Sequence, residues 1–119
     1  MNEESLRTQK MNQLLTEEVS KILFRNIDIS RDNLITISRI STSSDLKNST
    51  IYITIFPENK EEEVIAQINR QIYEVQKILN MTLRTKPIPR IRFEIDKLAK
   101  AEQSVFKAME HIDETVDNN

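Results

Sequence analysis

The sequence predicts an α+β domain in which a three-stranded sheet carries its helices on one face. Three observations predict it. Apolar residues recur at steps of three and four in separate long stretches, as the buried stripe of a helix requires. Between those stretches they alternate at steps of two in short segments rich in β-branched residues, as the buried face of a strand requires. A chain of 119 residues has room for one modest core and not for two independently folding units.

The elements follow in order. From about Ser5 to Phe24, Met11, Leu15, Val19, Ile22 and Leu23 form a helical stripe with Glu17, Glu18 and Lys21 between them. Leu34 to Ser41 reads as a first strand after the polar stretch Ser30-Arg31-Asp32-Asn33, and its alternation slips near Arg39, which predicts a bulge. Ser41 to Thr50 reads as a polar connection. Ile51 to Phe56 is a second strand that buries Ile51, Ile53 and Ile55, and Pro57 ends it because it has no amide hydrogen to donate.

Asn59 with Glu62 reads as a capping box, and Glu61 to Glu63 place negative charge at a helix start. Val64, Ile65, Ile68, Ile72, Val75, Leu79 and Leu83 then continue one stripe, either as one helix or as two joined by a kink. Lys86-Pro87-Ile88-Pro89 breaks it. Ile91 to Ile95 alternates as a third strand. Asp96 is the expected N-cap of a last helix with Leu98, Ala101, Val105, Ala108, Met109 and Ile112 on its stripe. The order is α-β-β-α(α)-β-α, with one domain over residues 1–112 and a frayed acidic tail over 113–119.

Composition excludes most chemistry. There is no cysteine, hence no disulfide framework and no thiolate. The single histidine, His111, reads as a solvent-facing residue of the last helix or as a cation at its C-terminal end, not as a ligand or base. The absence of glycine excludes a Walker A loop and a Rossmann fingerprint, and leaves the turns to Asn, Asp, Ser and Pro. No apolar run approaches the ~20 residues of a membrane span, and the start lacks the apolar stretch of a signal peptide. A cytoplasmic protein is expected, with no catalytic residues, metal, cofactor, membrane partner or small-molecule substrate.

The formal net charge is −2, but the charge is polarised. Between Arg70 and Arg92 the basic residues Arg70, Lys77, Arg84, Lys86, Arg90 and Arg92 face Glu74 as the only acid, whereas Glu110, Asp113, Glu114 and Asp117 follow Lys107 unanswered. Lys77 and Arg84, seven apart, share one helical face in this reading. Such a stripe suits a phosphate backbone; the alternative is a solvated face. With Tyr52, Phe56 and Tyr73 as the only aromatics near it, extensive base stacking is not expected.

Several strings in this order resemble the bacterial ribosome-binding factor A family. Thr16-Glu17-Glu18-Val19-Ser20-Lys21-Ile22-Leu23 is similar to its first-helix signature. Ile35-Thr36-Ile37 through Ser43-Ser44-Asp45-Leu46 is similar to its first strand and turn, and Ile51-Tyr52-Ile53 to its second strand. Leu83-Arg84, Pro89-Arg90-Ile91-Arg92-Phe93 and Asp96 match its approach to the third strand. The resemblance spans about residues 6 to 112 and implies a type II KH-like fold, αββααβ with a C-terminal extension. It also implies a non-enzymatic assembly factor that docks on immature small ribosomal subunits, binds their 16S ribosomal RNA, and leaves as they mature.

The RNA contact that the resemblance implies runs from Arg70 through Arg92, so the expected RNA-binding residues are Arg70, Lys77, Asn80, Arg84, Lys86, Arg90 and Arg92. Arg31 and Lys47 join them because they flank strands and should be exposed. The chain departs from the family where its central helices usually carry Ala-x-Gly and this sequence reads Gln71-Ile72-Tyr73, and where Asp-Pro-Arg becomes Ile29-Ser30-Arg31. A monomer is expected, since three helices on one side of a small sheet leave no uninterrupted apolar face. The rival reading is a protein-interaction module that uses the sheet edge or the acidic last helix and has no use for RNA.

Overall fold

The computed structural model describes residues 5–102 and Met109. Helix α1 spans Leu6–Arg25. It starts where the Ser5 hydroxyl accepts the Thr8 N–H at 3.2 Å, and it buries Met11, Leu15, Val19, Ile22 and Leu23, the stripe read from the sequence. Strands β1 (Leu34–Thr42) and β2 (Asn48–Phe56) form an antiparallel hairpin whose register shifts between Ile37 and Arg39. The bulge stands where the alternation slips.

The polar connection is shorter than the sequence predicts. Ser41 and Thr42 belong to β1, and 48–50 belong to β2, because Thr and Ser side chains pair across strands as readily as they cap turns. The turn that remains is held by Asp45, whose Oδ1 accepts from the Lys47 N–H at 3.0 Å and from the Ser43 hydroxyl. The Ser43 hydroxyl, with the Lys47 amide second, lowers the Asp45 carboxyl below its ordinary value. In a chain without glycine, Leu46 takes the left-handed conformation at φ 61. Burial of its side chain offsets that strain.

No capping box forms. A 3-10 turn at Glu58–Lys60 precedes helix α2 (Glu61–Arg70), which places Asn59 inside the turn and makes Lys60 the N-cap residue, without a side-chain cap. The acidic first turn stands as read, and Lys100 spans it at 3.0 Å from Glu61 and 3.1 Å from Glu58. Those two carboxylates, Glu61 first, raise the Lys100 ammonium above its ordinary value.

The central stripe is two helices. Helix α3 spans Ile72–Thr82, and Gln71, at φ −109 and ψ 13, separates it from α2. Strand β3 (Arg90–Ile95) joins β2 in parallel, so β2 is the central strand. Ile51, Ile53, Ile55, Ile91 and Phe93 face the helices, where Leu15, Val19, Val64, Ile68, Val75 and Leu79 are fully buried. By alternation Thr36, Thr50, Tyr52, Thr54 and Arg92 lie on the opposite face, and the Arg39 guanidinium carbon stands 3.7 Å from the centre of the Tyr52 ring.

Asp96 caps the last helix as expected, its Oδ1 accepting from the Leu98 and Ala99 N–H groups at 3.1 Å. Residues 97–102 are helical. Val105, Ala108, His111, Ile112 and the tail at 113–119 lie outside the described residues.

Candidate nucleic-acid interface

All nine residues expected to bind RNA are exposed, but the fold distributes them over several places. Lys77, Asn80 and Arg90 come together. With Ile72, Tyr73, Gln76, Met81 and Ile91 they line an open groove of about 840 Å³ between α3 and the start of β3. Gln76 builds it. Its Oε1 accepts the Ile91 N–H at 2.9 Å, and its Nε2 donates to the Pro89 carbonyl and to Asn80 Oδ1, each at 3.0 Å. One α3 side chain thereby holds the entry to β3 against the helix and brings Arg90 to the groove that Lys77 lines.

Lys47 reaches the same end of the sheet through its backbone, since its carbonyl accepts the Arg90 N–H at 2.8 Å. Arg92 stands one pleat away on the open face, donating from Nε to the Thr50 hydroxyl at 3.1 Å and pairing with Glu94 at 2.8 Å. Lys47, Lys77, Arg84, Lys86 and Arg90 form no salt bridge among the described residues. A phosphate therefore meets their charge without first displacing a carboxylate.

Lys77 and Arg84 do not share a helix face. Helix α3 stops at Thr82, and Leu83 is extended at ψ 136, so Arg84 and Lys86 belong to the segment that carries the prolines. The early stop follows from packing, since Leu83 is buried and closes the core instead of prolonging the stripe.

Arg31 and Arg70 form a second group, 39 residues apart in sequence, which lines a smaller concavity with Asp28, Gln67 and Gln71 at the junction of α2 and α3. Two glutamines one helical turn apart assemble it. Gln71 Oε1 accepts the Asp28 N–H at 2.9 Å, and its Nε2 donates to the Asp28 carbonyl at 2.8 Å. Gln67 Oε1 accepts the Ser30 N–H at 3.2 Å, and its Nε2 donates to the Ser30 hydroxyl at the same distance.

A family model described as ribosome-binding factor A matches residues 7–109. The chain belongs to the ribosome-binding factor A family. It is 31% identical over 98 residues to the ribosome-binding factor A of Vibrio campbellii, which spans 81% of this chain and 73% of the relative. It is 30% identical over 115 residues to that of Prochlorococcus marinus, spanning 94% and 87%. Among solved structures it is similar to a crystal structure of ribosome-binding factor A from Thermus thermophilus, with a TM-score of 0.63 at 19% identity, covering 74% of this chain and 94% of that one. A solution structure from Thermotoga maritima, a putative ribosome binding factor A by its own description, gives 0.61 at 23% identity, covering 79% and 90%. The fold is KH-like.

Measured against the ribosome-binding factor A pattern, the break between the central helices persists without the glycine. The buried stripe continues across it through Ile68, Val75 and Leu79, and the Gln71 side-chain amide braces the break by bonding the Asp28 backbone and the Gln67 carbonyl. We expect Gln71→Ala to cost about 1 kcal/mol, as for a set of partly exposed hydrogen bonds. Amide exchange over Ile27 to Ser30 checks it: protection there should fall while protection in β2 stays. Equal exchange in both proteins would refute the bracing role.

Proposed function

We propose that this chain binds the 16S ribosomal RNA of immature small ribosomal subunits and assists their late assembly and the processing of the RNA precursor, as a cytoplasmic monomer that performs no catalysis. The observation that carries the reading is the groove in which Lys77, Asn80 and Arg90 converge, unpaired with acids among the described residues, beside Tyr73 at 83% exposure. The family membership supports it. So does a Thermus thermophilus ribosome binding factor A homology model fitted into the cryo-EM map of a 30S complex, which this chain resembles with a TM-score of 0.53 at 20% identity over 77% of its length.

In the groove, Lys77 and Arg90 neutralise consecutive phosphates, Asn80 hydrogen-bonds a sugar or base edge, and Tyr73 stacks an unpaired base. Lys47, Arg84, Lys86 and Arg92 extend the cationic margin, and Arg31 with Arg70 offers a separate phosphate contact at the helix junction. Specificity comes from the folded shape of the RNA, because a contact set dominated by phosphates carries no sequence information.

Sedimentation of the full chain with ribosomal particles across a salt series tests the reading. Comigration with free or immature small subunits, lost as salt rises, is the expected result. Absence from every ribosomal fraction at low salt would overturn it.

A further inference from the structure

A second groove, of different chemistry, lies where the end of α1 passes the start of β1. Leu23 and Phe24 of α1, Ile29 of the connection, and Leu34, Ile35 and Ile37 of β1 wall it. Phe24 and Leu34 are 71% and 65% exposed, and Leu34 pairs across the hairpin with Phe56, which is equally bare. This is a concentration of apolar surface that a small soluble domain does not ordinarily leave to water.

Two further features specify what fits there. β1 is an outer strand, with β2 on one side and no partner on the other among the described residues, so every second backbone N–H and C=O of its free edge is available for pairing. Arg31 is the only charged side chain of the lining, stands 5.9 Å from the Phe24 ring centre, and forms no salt bridge among the described residues.

We infer that this groove docks an extended segment of a partner protein, which adds a strand to the free edge of β1 and carries a bulky apolar residue followed by a carboxylate. The apolar side chain seats against Phe24 beside the free edge of β1, and the carboxylate meets Arg31. Charge and polarity favour this occupant over RNA, since one cation on an apolar wall leaves a polyphosphate chain without partners. The site is distinct from the groove at Lys77, and only Arg31 belongs to both readings.

The test is selection of a phage-displayed library of random short peptides on the full chain, followed by synthesis of the enriched sequence and its titration by fluorescence anisotropy. The comparison protein is the Phe24→Ser, Leu34→Thr double variant. Both residues are exposed, so the variant should unfold at the temperature of the parent, which is measured first. The expected result is a sequence with one bulky apolar residue next to an acid, bound about tenfold or more weaker by the variant, with the amides of Ile35 and Ile37 protected from exchange in the complex.

No enriched sequence, equal binding by both proteins, or protection elsewhere would overturn the inference. A parent that sediments as a dimer and a variant that does not would assign the face to a second copy of the chain and overturn it as well. Loss of RNA affinity in the double variant equal to that in a Lys77→Ala variant would assign the groove to RNA, with the same consequence. Failure of the peptide titration with salt-sensitive RNA binding intact rejects this site alone.

Discussion

The Lys77→Ala, Arg90→Ala double variant should bind small-subunit RNA about 10- to 100-fold more weakly than the parent, with a salt slope shallower by about 2. The two cations come from different elements, yet Gln76 holds them in one groove through bonds of 2.9 and 3.0 Å. Neither has a carboxylate to fall back on among the described residues. Both are exposed, so the fold should survive. The companion pair Arg84→Ala, Lys86→Ala lies outside the groove and should weaken binding less. Affinity measured by filter binding at several salt concentrations decides it. An unchanged slope in the Lys77/Arg90 variant, or a larger loss in the Arg84/Lys86 pair, would displace the contact from this groove.

Asp96→Ala should lower the unfolding free energy by about 2–3 kcal/mol, as the loss of a helix cap together with further buried hydrogen bonds. Asp96 is 2% exposed and serves two elements at once. It caps the last helix, accepts from the Ser38 hydroxyl in the bulge of β1, and accepts from Arg39 Nε at 3.3 Å. Arg39 is thereby held over Tyr52.

The same bonds, that from Ser38 first, depress the Asp96 carboxyl below its ordinary value of 3.8, although burial opposes them. A depressed folded-state value means that the unfolded chain takes up the proton first as pH falls. The contribution is therefore present at neutral pH and is lost below about 3.8, through the window down to the folded-state value. Urea midpoints measured from neutral to acid pH should fall more steeply for the parent than for Asp96→Asn. Parallel curves would remove Asp96 as a source of the acid limb.

The elements were legible because each rests on a local pattern. The stripe from Met11 to Leu23, the isoleucines of β2, the bulge at Arg39 and the cap at Asp96 need only neighbours in sequence. Where two local signals compete, the reading failed. Asn59 and Glu62 have capping-box spacing, but Pro57 ends β2 one residue before a 3-10 turn, and that turn moves the helix start to Glu61. Lys77 and Arg84 have helical spacing, but burial of Leu83 ends the helix between them.

The candidate site was legible as a list and not as a place. Its charges are visible between Arg70 and Arg92, yet Gln76, Gln67 and Gln71, which position them, carry no signal of their own. A glutamine on a helix is unremarkable until the chain it braces is known, and Gln71 meets Asp28 across 43 residues. The second role of Asp96 is hidden for the same reason, since Ser38 and Arg39 lie 58 and 57 residues away.

The sequence by itself determined the class, the order of elements, which face of each is apolar, and the family, because hydrophobic period and local capping are properties of contiguous residues. Only the tertiary structure decided that the central stripe is two helices, that Lys77 and Arg90 share a groove while Arg31 and Arg70 occupy another, and that β1, among the described residues, presents an open edge beside an apolar cleft. Those outcomes depend on hydrogen bonds and contacts between residues distant in the chain, and such bonds form only once burial of the core has brought the elements together.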